Sequence, residues 1–222
     1  AAVAAKDHTH SQWNPLSQYR EAMSVEQILA APQVAWPLTN PMCAPISDGA
    51  SAAIVCSAEM AKRFIGLPVR VLAAENRSGT DRAPDDYANH VTRRVSALAY
   101  EQAGLGPRDM HLAEVHDASS IGEVIQTEAL GLVGPGEAGP AAQRGETALG
   151  GRIPVNTSGG LVSKGHPLAA TGIAQIHELV TQLRGAAGGR QVEGAQVAIA
   201  ENSGGFYGVE DGMSAVTILA RS

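Results

Sequence analysis

The sequence predicts an α/β fold built in layers, a mixed sheet with helices on both faces. Three observations carry that reading. Apolar runs of strand length alternate with amphipathic runs of helix length, in the order β-α-β-α-β-loop-α-β-β, and such alternation buries sheet faces under helices. Glycine numbers 25 and alanine is abundant while aromatics are only 4%, a mix suited to close helix–sheet packing with many turns. Hydrophobic residues make up 44% of the 222, enough for the core of one large domain or two small ones. The pattern amounts to one half of a duplicated layered fold, with no repeat inside the chain.

Residues 1–47 read as irregular, interrupted by Pro15, Pro32, Pro37, Pro41 and Pro45. One short helix is expected over 24–30, with Ser24 as N-cap and Gln27 completing a capping box. His8 and His10 lack a carboxylate or cysteine partner at metal-binding spacing, so no metal site is expected. Residues 49–57 (GASAAIVCS) are small and apolar throughout, as for a strand buried on both faces, with Cys56 an inert buried thiol. A short helix over 58–65 leads to a second strand over 69–74.

A long helix is expected over 85–103. Val91, Val95, Leu98 and Ala99 share one face, Arg93 and Arg94 fall off it, and Gly104 ends it. Residues 111–115 form the next strand, which delivers His116 and Asp117 at its carboxyl end, where open α/β sheets commonly place their sites. The alternative is a histidine tied into a strand-end hydrogen-bond network. Ser120 is expected to cap the following helix with Glu123 in a second capping box, and Ile121, Val124 and Ile125 to form its buried side. Residues 132–151 read as a loop with six glycines. Its GPGEAG formally matches a dinucleotide fingerprint, but no β-branched strand precedes it, and Glu137 would repel a pyrophosphate. A short extended piece, 153–155, follows. A helix is expected from Pro167 to Leu183, its core face made by Ile173, Ile176, Val180 and Leu183, and stopped by Gly185 before a turn at Gly188 and Gly189. Strands over 197–200 and 213–219 flank a loop that carries Asn202, Gly204, Gly205, Tyr207 and Gly208.

The chain is organised around 156–172, NTSGGLVSKGHPLAATG. Gly159, Gly160 and Gly165 permit tight turns and close backbone approach to a ligand. Pro167 suits the first turn of a helix. His166 then stands at a helix N-terminus, where amides and dipole favour negative charge, and a donating histidine there suits oxyanion stabilisation. The alternative is a glycine-rich turn whose histidine merely caps a helix.

SGGLVSKGHPLAATG resembles the GHP signature of the thiolase superfamily, especially its sterol-carrier or lipid-transfer branch. EVHDASSIGE (114–123) resembles that branch's HDCF motif, and ENSGGFYGVEDG (201–212) occupies the place of the family's C-terminal Cys-x-Gly loop. The resemblance runs from about His8 to the end of the chain and keeps the motifs in order. It implies a thiolase-like layered fold of which this chain is the C-terminal half. Residues 1–47 would be the end of a loop domain over the acyl-CoA site, 48–66 the last strand and helix of the N-terminal half, and 67–222 the C-terminal half. The missing initiator methionine and the opening in mid-pattern fit a C-terminal portion.

The departures from that family are chemical. Asn202 stands where the acid–base cysteine is expected, and Ala118 where the HDCF motif has its cysteine. Neither exchanges a proton, so ordinary Claisen thiolysis lacks its base. The resemblance implies instead an oxyanion site for a thioester enolate, with His166 and His116 as donors. Gly165, Gly204 and Gly205 would shape the backbone, and Ser158, Gly159 and Asn202 would contact the substrate. Retro-aldol cleavage of a 3-hydroxyacyl-CoA, as in thiolase-like aldolases of steroid side-chain degradation, then needs a base, for which Tyr207 is the candidate. The alternatives are an acetyl-CoA acyltransferase and a non-catalytic lipid carrier or scaffold. Implied partners are an acyl-CoA substrate, the missing N-terminal half, a second copy in a homodimer and a small OB-fold, zinc-ribbon protein. No cofactor beyond the substrate's own coenzyme A is expected.

A net charge of −6 argues against a nucleic-acid surface. No apolar run reaches the roughly 18 residues needed to span a bilayer. The opening AAVAAKDHTH lacks a signal-peptide shape. Cys43 and Cys56 form no metal-spaced pair. A cytoplasmic location is the simplest expectation.

Overall fold

The computed structural model describes residues 1–64 and 66–222. Its centre is a four-stranded mixed sheet of β3 (Val69–Ser78), β4 (Leu112–Glu114), β5 (Val197–Gly204) and β6 (Met213–Arg221), in the order β3-β6-β5-β4. The first three neighbours pair antiparallel and β4 pairs parallel to β5. Val155 adds a single parallel bridge to Ala113 on the outer side of β4, where an extended piece was expected. A hairpin of β1 (Gln33–Ala35) and β2 (Leu38–Thr39) lies apart from this sheet.

Helices cover both faces, as expected. Helix α4 (Val91–Ala103) buries Val91, Val95 and Ala99 against Ile199, Val216 and Ile218 of one face. Helix α7 (Thr171–Leu183) buries Leu179 and Leu183 against Ala198, Ala200 and Leu219 of the other. The two-residue period of β5 therefore assigns Ile199 to one core and its alanine neighbours to the other. Those small alanines let α7 lie close to the strand. Gly104, at φ 66°, ends α4 in the left-handed region that glycine adopts freely.

Helix α1 (Ala2–Ser11) was not expected from the irregular reading of residues 1–47. Its polar face turns inward and bonds to the organising stretch, so it lacks an apolar stripe. Helix α2 (Val25–Ala30) matches expectation: Ser24 Oγ accepts from Gln27 N and Gln27 Oε1 accepts from Ser24 N.

Several expectations are corrected. Residues 49–57 form no strand and lie exposed, with Cys56 exposed as well. A doubly buried strand needs neighbours on both edges, and among the described residues none pairs with this segment; it instead crosses the turn before α7, where Ser51 Oγ donates to Ala170 O. Helix α3 is shorter than expected (Ala58–Ala61), and the expected end of that helix, Ile65, lies outside the described residues. Residues 85–90 precede α4 rather than belong to it, because His90 caps the helix by accepting from Thr92 N.

Helix α5 (Ser120–Ala129) has no side-chain cap at its start: Ser119 holds that place and Glu123 is drawn away to Lys6 and Asn156. Its isoleucines face outward, Ile121 50% and Ile125 45% exposed, while Glu123, Gln126 and Thr127 are buried. The glycine-rich loop contains a short helix, α6 (Ala138–Gln143). In α7 the inward face is partly polar, with Gln175, Glu178 and Gln182 buried and Ile173 exposed. No described helix is long and apolar enough to cross a membrane.

Candidate active site

His116 lies two residues beyond the end of β4. Its amide donates to Glu201 Oε2 (3.1 Å), and the preceding Val115 N donates to Asn156 Oδ1 (2.8 Å). These bonds tie the strand end to the next strand and to the start of the organising stretch. His166 arrives after a wide turn at Gly160–Lys164. Asp117 holds that turn by accepting from Leu161 N and Val162 N. Gly160, at φ 59°, approaches the Asp117 carboxylate too closely to carry a Cβ.

Pro167 does not open α7, contrary to expectation. The helix starts at Thr171, and the turn between has Ala169 at φ 67°. His166 nevertheless stays tied to the helix start, because its Nδ1 lies 2.8 Å from Thr171 Oγ1.

The two imidazoles meet edge to face, with centroids 4.9 Å apart and planes at 88°. Both line a cleft of about 590 Å³, together with Ala118, Gln175, Asn202, Ser203, Gly204, Gly205, Phe206 and Asp211. Burial, the neighbouring His166 and then Lys164 push the His116 pKa down to about 4. Burial, then Lys164, lowers that of His166. Both rings are therefore neutral near pH 7, and the tautomer decides what each can do.

The hydrogen bonds fix the tautomer of His116. Gln175 is fully buried and its Nε2 donates to the main-chain oxygen of Glu201 (2.9 Å), which can only accept. Its Oε1 therefore faces Asn202, whose Nδ2 donates to it (3.1 Å) and also to His116 Nδ1 (3.1 Å). His116 Nδ1 is thus an acceptor, and the ring proton sits on Nε2. At His166, the Pro167 carbonyl already accepts from the amides of Ala170 and Thr171 (both 3.1 Å). The Thr171 hydroxyl donates to that same carbonyl (3.0 Å) and meets His166 Nδ1 (2.8 Å). A neutral Nε2–H donor on His116, with a second imidazole beside it in one cleft, can hold an oxyanion.

Of the residues expected in the site, His116, His166, Asn202, Gly204 and Gly205 come together in this cleft. Ser158, Gly159 and Gly165 do not line it. Ser158 is buried and its hydroxyl donates to Glu114 Oε2, Gly159 is packed against Ser11, and Gly165 lies beside Ser47 and Gln18. These residues brace the turn that presents His166. Tyr207 also lies outside the cleft lining. It is 53% exposed near the tip of the β5–β6 hairpin, and its neighbour Phe206 lines the cleft instead.

His8 and His10 are structural. His8 Nε2 bonds Pro41 O and its Nδ1 meets Ser163 Oγ, while His10 bonds Asn156 O and Leu149 N, so both ring nitrogens of each are engaged. Asp7, Asp117 and Glu123 cluster closely enough to suggest cation ligands. The Lys6 ammonium already fills that role, 2.9 Å from Asp7 and 2.7 Å from Glu123.

Gln175, Thr171 and Asp211 were not singled out by sequence. Gln175 offered one signal, a glutamine on a helix face otherwise read as apolar.

Residues 73–221 match the family model described as "Thiolase C-terminal domain-like". The chain is 44% identical to an acetyl-CoA acetyltransferase of Methanothermobacter thermautotrophicus, over 100% of this chain and 57% of that protein. It is 40% identical to sterol carrier protein 2 of Rattus norvegicus, over 92% of this chain and 39% of that one. It is 37% identical to the benzoylsuccinyl-CoA thiolase subunit BbsB of Thauera aromatica, over 92% and 54%. Among solved structures, the Ltp2-ChsH2(DUF35) aldolase superposes with a TM-score of 0.83 at 24% identity, over 99% of this chain and 57% of that one, a likeness of fold. The chain thus spans between about two fifths and three fifths of the length of these relatives.

Proposed function

The chain belongs to the thiolase C-terminal domain-like family, and from that premise we propose that it forms the oxyanion side of an enzyme acting on acyl-CoA thioesters by retro-aldol cleavage of a 3-hydroxyacyl-CoA. The observation that carries this reading is the neutral Nε2–H donor of His116 with His166 edge to face beside it in one cleft. A thioester carbonyl oxygen placed against that donor gains negative charge as C2–C3 breaks, and a fixed donor stabilises that charge more than the starting carbonyl. Asn202 and Ala118, which line the same cleft where family cysteines are expected, supply neither nucleophile nor acid. This favours a lyase over acyl transfer. The lining of alanines, Leu168, Ile173 and Phe206 suits an acyl chain.

The rest of the working unit follows from the same reading. A further segment supplies an N-terminal thiolase half, which would cover the exposed Ile54, Val55, Ile121 and Ile125. A homodimer and a small OB-fold, zinc-ribbon partner belong to the proposed assembly. Coenzyme A enters as part of the substrate. A second reading, acetyl-CoA acyl transfer, is favoured by the 44% identity to an acetyltransferase.

The test is to incubate the full-length protein, with and without a co-encoded partner, with panels of acyl-CoA and 3-hydroxyacyl-CoA. Cleavage of a 3-hydroxyacyl-CoA to an aldehyde or ketone supports the lyase. Formation of 3-ketoacyl-CoA from acyl-CoA units would replace it with the transferase, and inertness toward both panels would leave a carrier or scaffold.

A further inference from the structure

We infer that Gln175 is a positioning residue, which sets the direction of the Asn202 amide and through it holds His116 as an Nε2–H donor to the oxyanion. The effect on turnover rests on the lyase reading above; the tautomer of His116 does not. Gln175 forms part of the cleft wall but is fully buried on the inward face of α7, so it acts through Asn202. Its place on that face is unfavourable without such a role. One turn further on, Leu179 packs into an apolar core with Leu183, Ala198 and Ala200. A leucine at 175 would extend that core, whereas a buried amide is tolerated only when its groups are paired.

The direction of the relay is forced from its inner end. The Glu201 carbonyl oxygen has no proton to give, so it turns Gln175 Nε2 toward itself and Oε1 toward Asn202. Oε1 in turn admits only the Nδ2 end of Asn202, which then faces His116 Nδ1. Reversal at either amide would present Asn202 Oδ1 to His116 and draw the ring proton to Nδ1. The Nε2 lone pair would then point at the oxyanion and repel the charge the cleft has to hold.

Glu201 anchors the relay at both ends. Its main-chain oxygen holds Gln175, and its carboxyl Oε2 accepts from His116 N (3.1 Å). Asn202 is held as well. Its backbone pairs in β5 opposite Ala215, and a Cβ at Gly172 would stand 3.5 Å from its Cγ and Oδ1. Gly172 and Gln175, three residues apart on α7, thus close on Asn202 from one side of the helix. His166 lies outside this relay, its Nδ1 meeting the Thr171 hydroxyl instead.

The test uses the full-length protein, reading His116 by ¹⁵N NMR and steady-state cleavage of a 3-hydroxyacyl-CoA. The parent is expected to carry the neutral His116 proton on Nε2. Gln175→Leu removes both bonds at similar size. His116 should then populate both tautomers, and kcat should fall by about 10–10²-fold, part of the 10²–10³-fold worth of an oxyanion donor, with KM changed less than about threefold. Gln175→Glu is the conservative variant, and burial favours its protonated form. Protonated, it donates to Glu201 O and accepts from Asn202, as the amide does; ionised, it has no proton for Glu201 O. Its kcat relative to the parent should therefore be highest at low pH and fall as pH rises, measured where circular dichroism shows folded protein. Asn202→Asp replaces the donor facing His116 by an acceptor and should move the ring proton to Nδ1. A single Nε2–H tautomer retained in Gln175→Leu, or a Gln175→Glu to parent ratio independent of pH, would overturn the assignment and leave the lyase reading standing. A parent that cleaves no 3-hydroxyacyl-CoA would remove the lyase reading, and the tautomer of His116 in these variants would still decide the role of Gln175.

Discussion

Replacing His166 by alanine separates chemistry from stability, and the structure sets both magnitudes. The substitution removes the second imidazole at the developing oxyanion, a loss typically of about 10²–10³ in turnover, or about 2.7–4 kcal/mol. It also removes the bond to Thr171 Oγ1 (2.8 Å) and the edge-to-face contact with His116 (4.9 Å). A net hydrogen bond contributes about 1 kcal/mol and an aromatic pair about 0.5–1.5 kcal/mol. The fold should therefore lose about 1.5–2.5 kcal/mol, because neither apolar core contains His166. The assay pairs steady-state kinetics on a 3-hydroxyacyl-CoA with urea unfolding of the same protein. The expectation is a drop of two to three orders in kcat, roughly as large in kcat/KM, from a protein that still unfolds cooperatively. Parental turnover in folded His166→Ala protein would refute the oxyanion role.

Thr171→Val removes the hydroxyl that meets His166 Nδ1 and donates to Pro167 O, which keeps both amide donors. It should lower kcat by about two- to tenfold, the value of one net hydrogen bond, and ¹⁵N NMR should show His166 losing its single tautomer; an unchanged spectrum would sink the argument. Tyr207→Phe should change turnover less than twofold, since the ring lies outside the cleft lining, and a loss above tenfold would return Tyr207 to the catalytic list.

Glu201 is fully buried and its pKa is pushed up to about 8, chiefly by burial, so the folded state holds a proton that the unfolded state releases near pH 4.5. Its contribution is present at low pH and falls by about 1.4 kcal/mol per unit as pH rises through that window. Glu201→Gln should therefore flatten the stability–pH curve between pH 5 and 8 relative to the parent, and superimposable slopes would contradict the burial argument. Gly160→Ala forces a Cβ onto the Asp117 carboxylate at φ 59° and should destabilise by more than about 2 kcal/mol in chemical denaturation.

What the sequence revealed follows from which signals are local. The Ser24 capping box, the Gly104 stop and the α4 face depend on residues a turn apart, and they appear as read except that Leu98 is only half-buried and outside the core. His116 and His166 were legible because each sits in a motif at the end of a strand or turn. Their meeting at 4.9 Å is a product of topology, since β4 and the turn at Gly160–Lys164 are joined through Asp117 and Asn156.

The misreadings share a cause. Residues 49–57 look like a buried strand because the signal is apolar composition, which is silent about the neighbours a strand needs. Ile121 and Ile125 look like core for the same reason, yet the inward side of α5 carries Glu123, which pairs with Lys6 on α1. Helix α1 escaped detection because its buried face is polar and satisfied by distant partners such as Val155 O and Asn156 O. Ser158 sits in the most recognisable motif but faces Glu114 rather than the cleft, for motif membership does not state side-chain direction. The tautomer relay through Gln175 was hidden because it depends on a main-chain oxygen across the α7–β5 contact.

The central claim is that this cleft stabilises a thioester enolate released by carbon–carbon cleavage. Its most direct measurement is the product balance when full-length protein meets a 3-hydroxyacyl-CoA with free coenzyme A removed. A lyase needs no thiol acceptor, so the account predicts a carbonyl compound and a shortened acyl-CoA in equal amounts. Turnover that appears only when coenzyme A is restored, with a 3-ketoacyl-CoA as the species consumed, would contradict it.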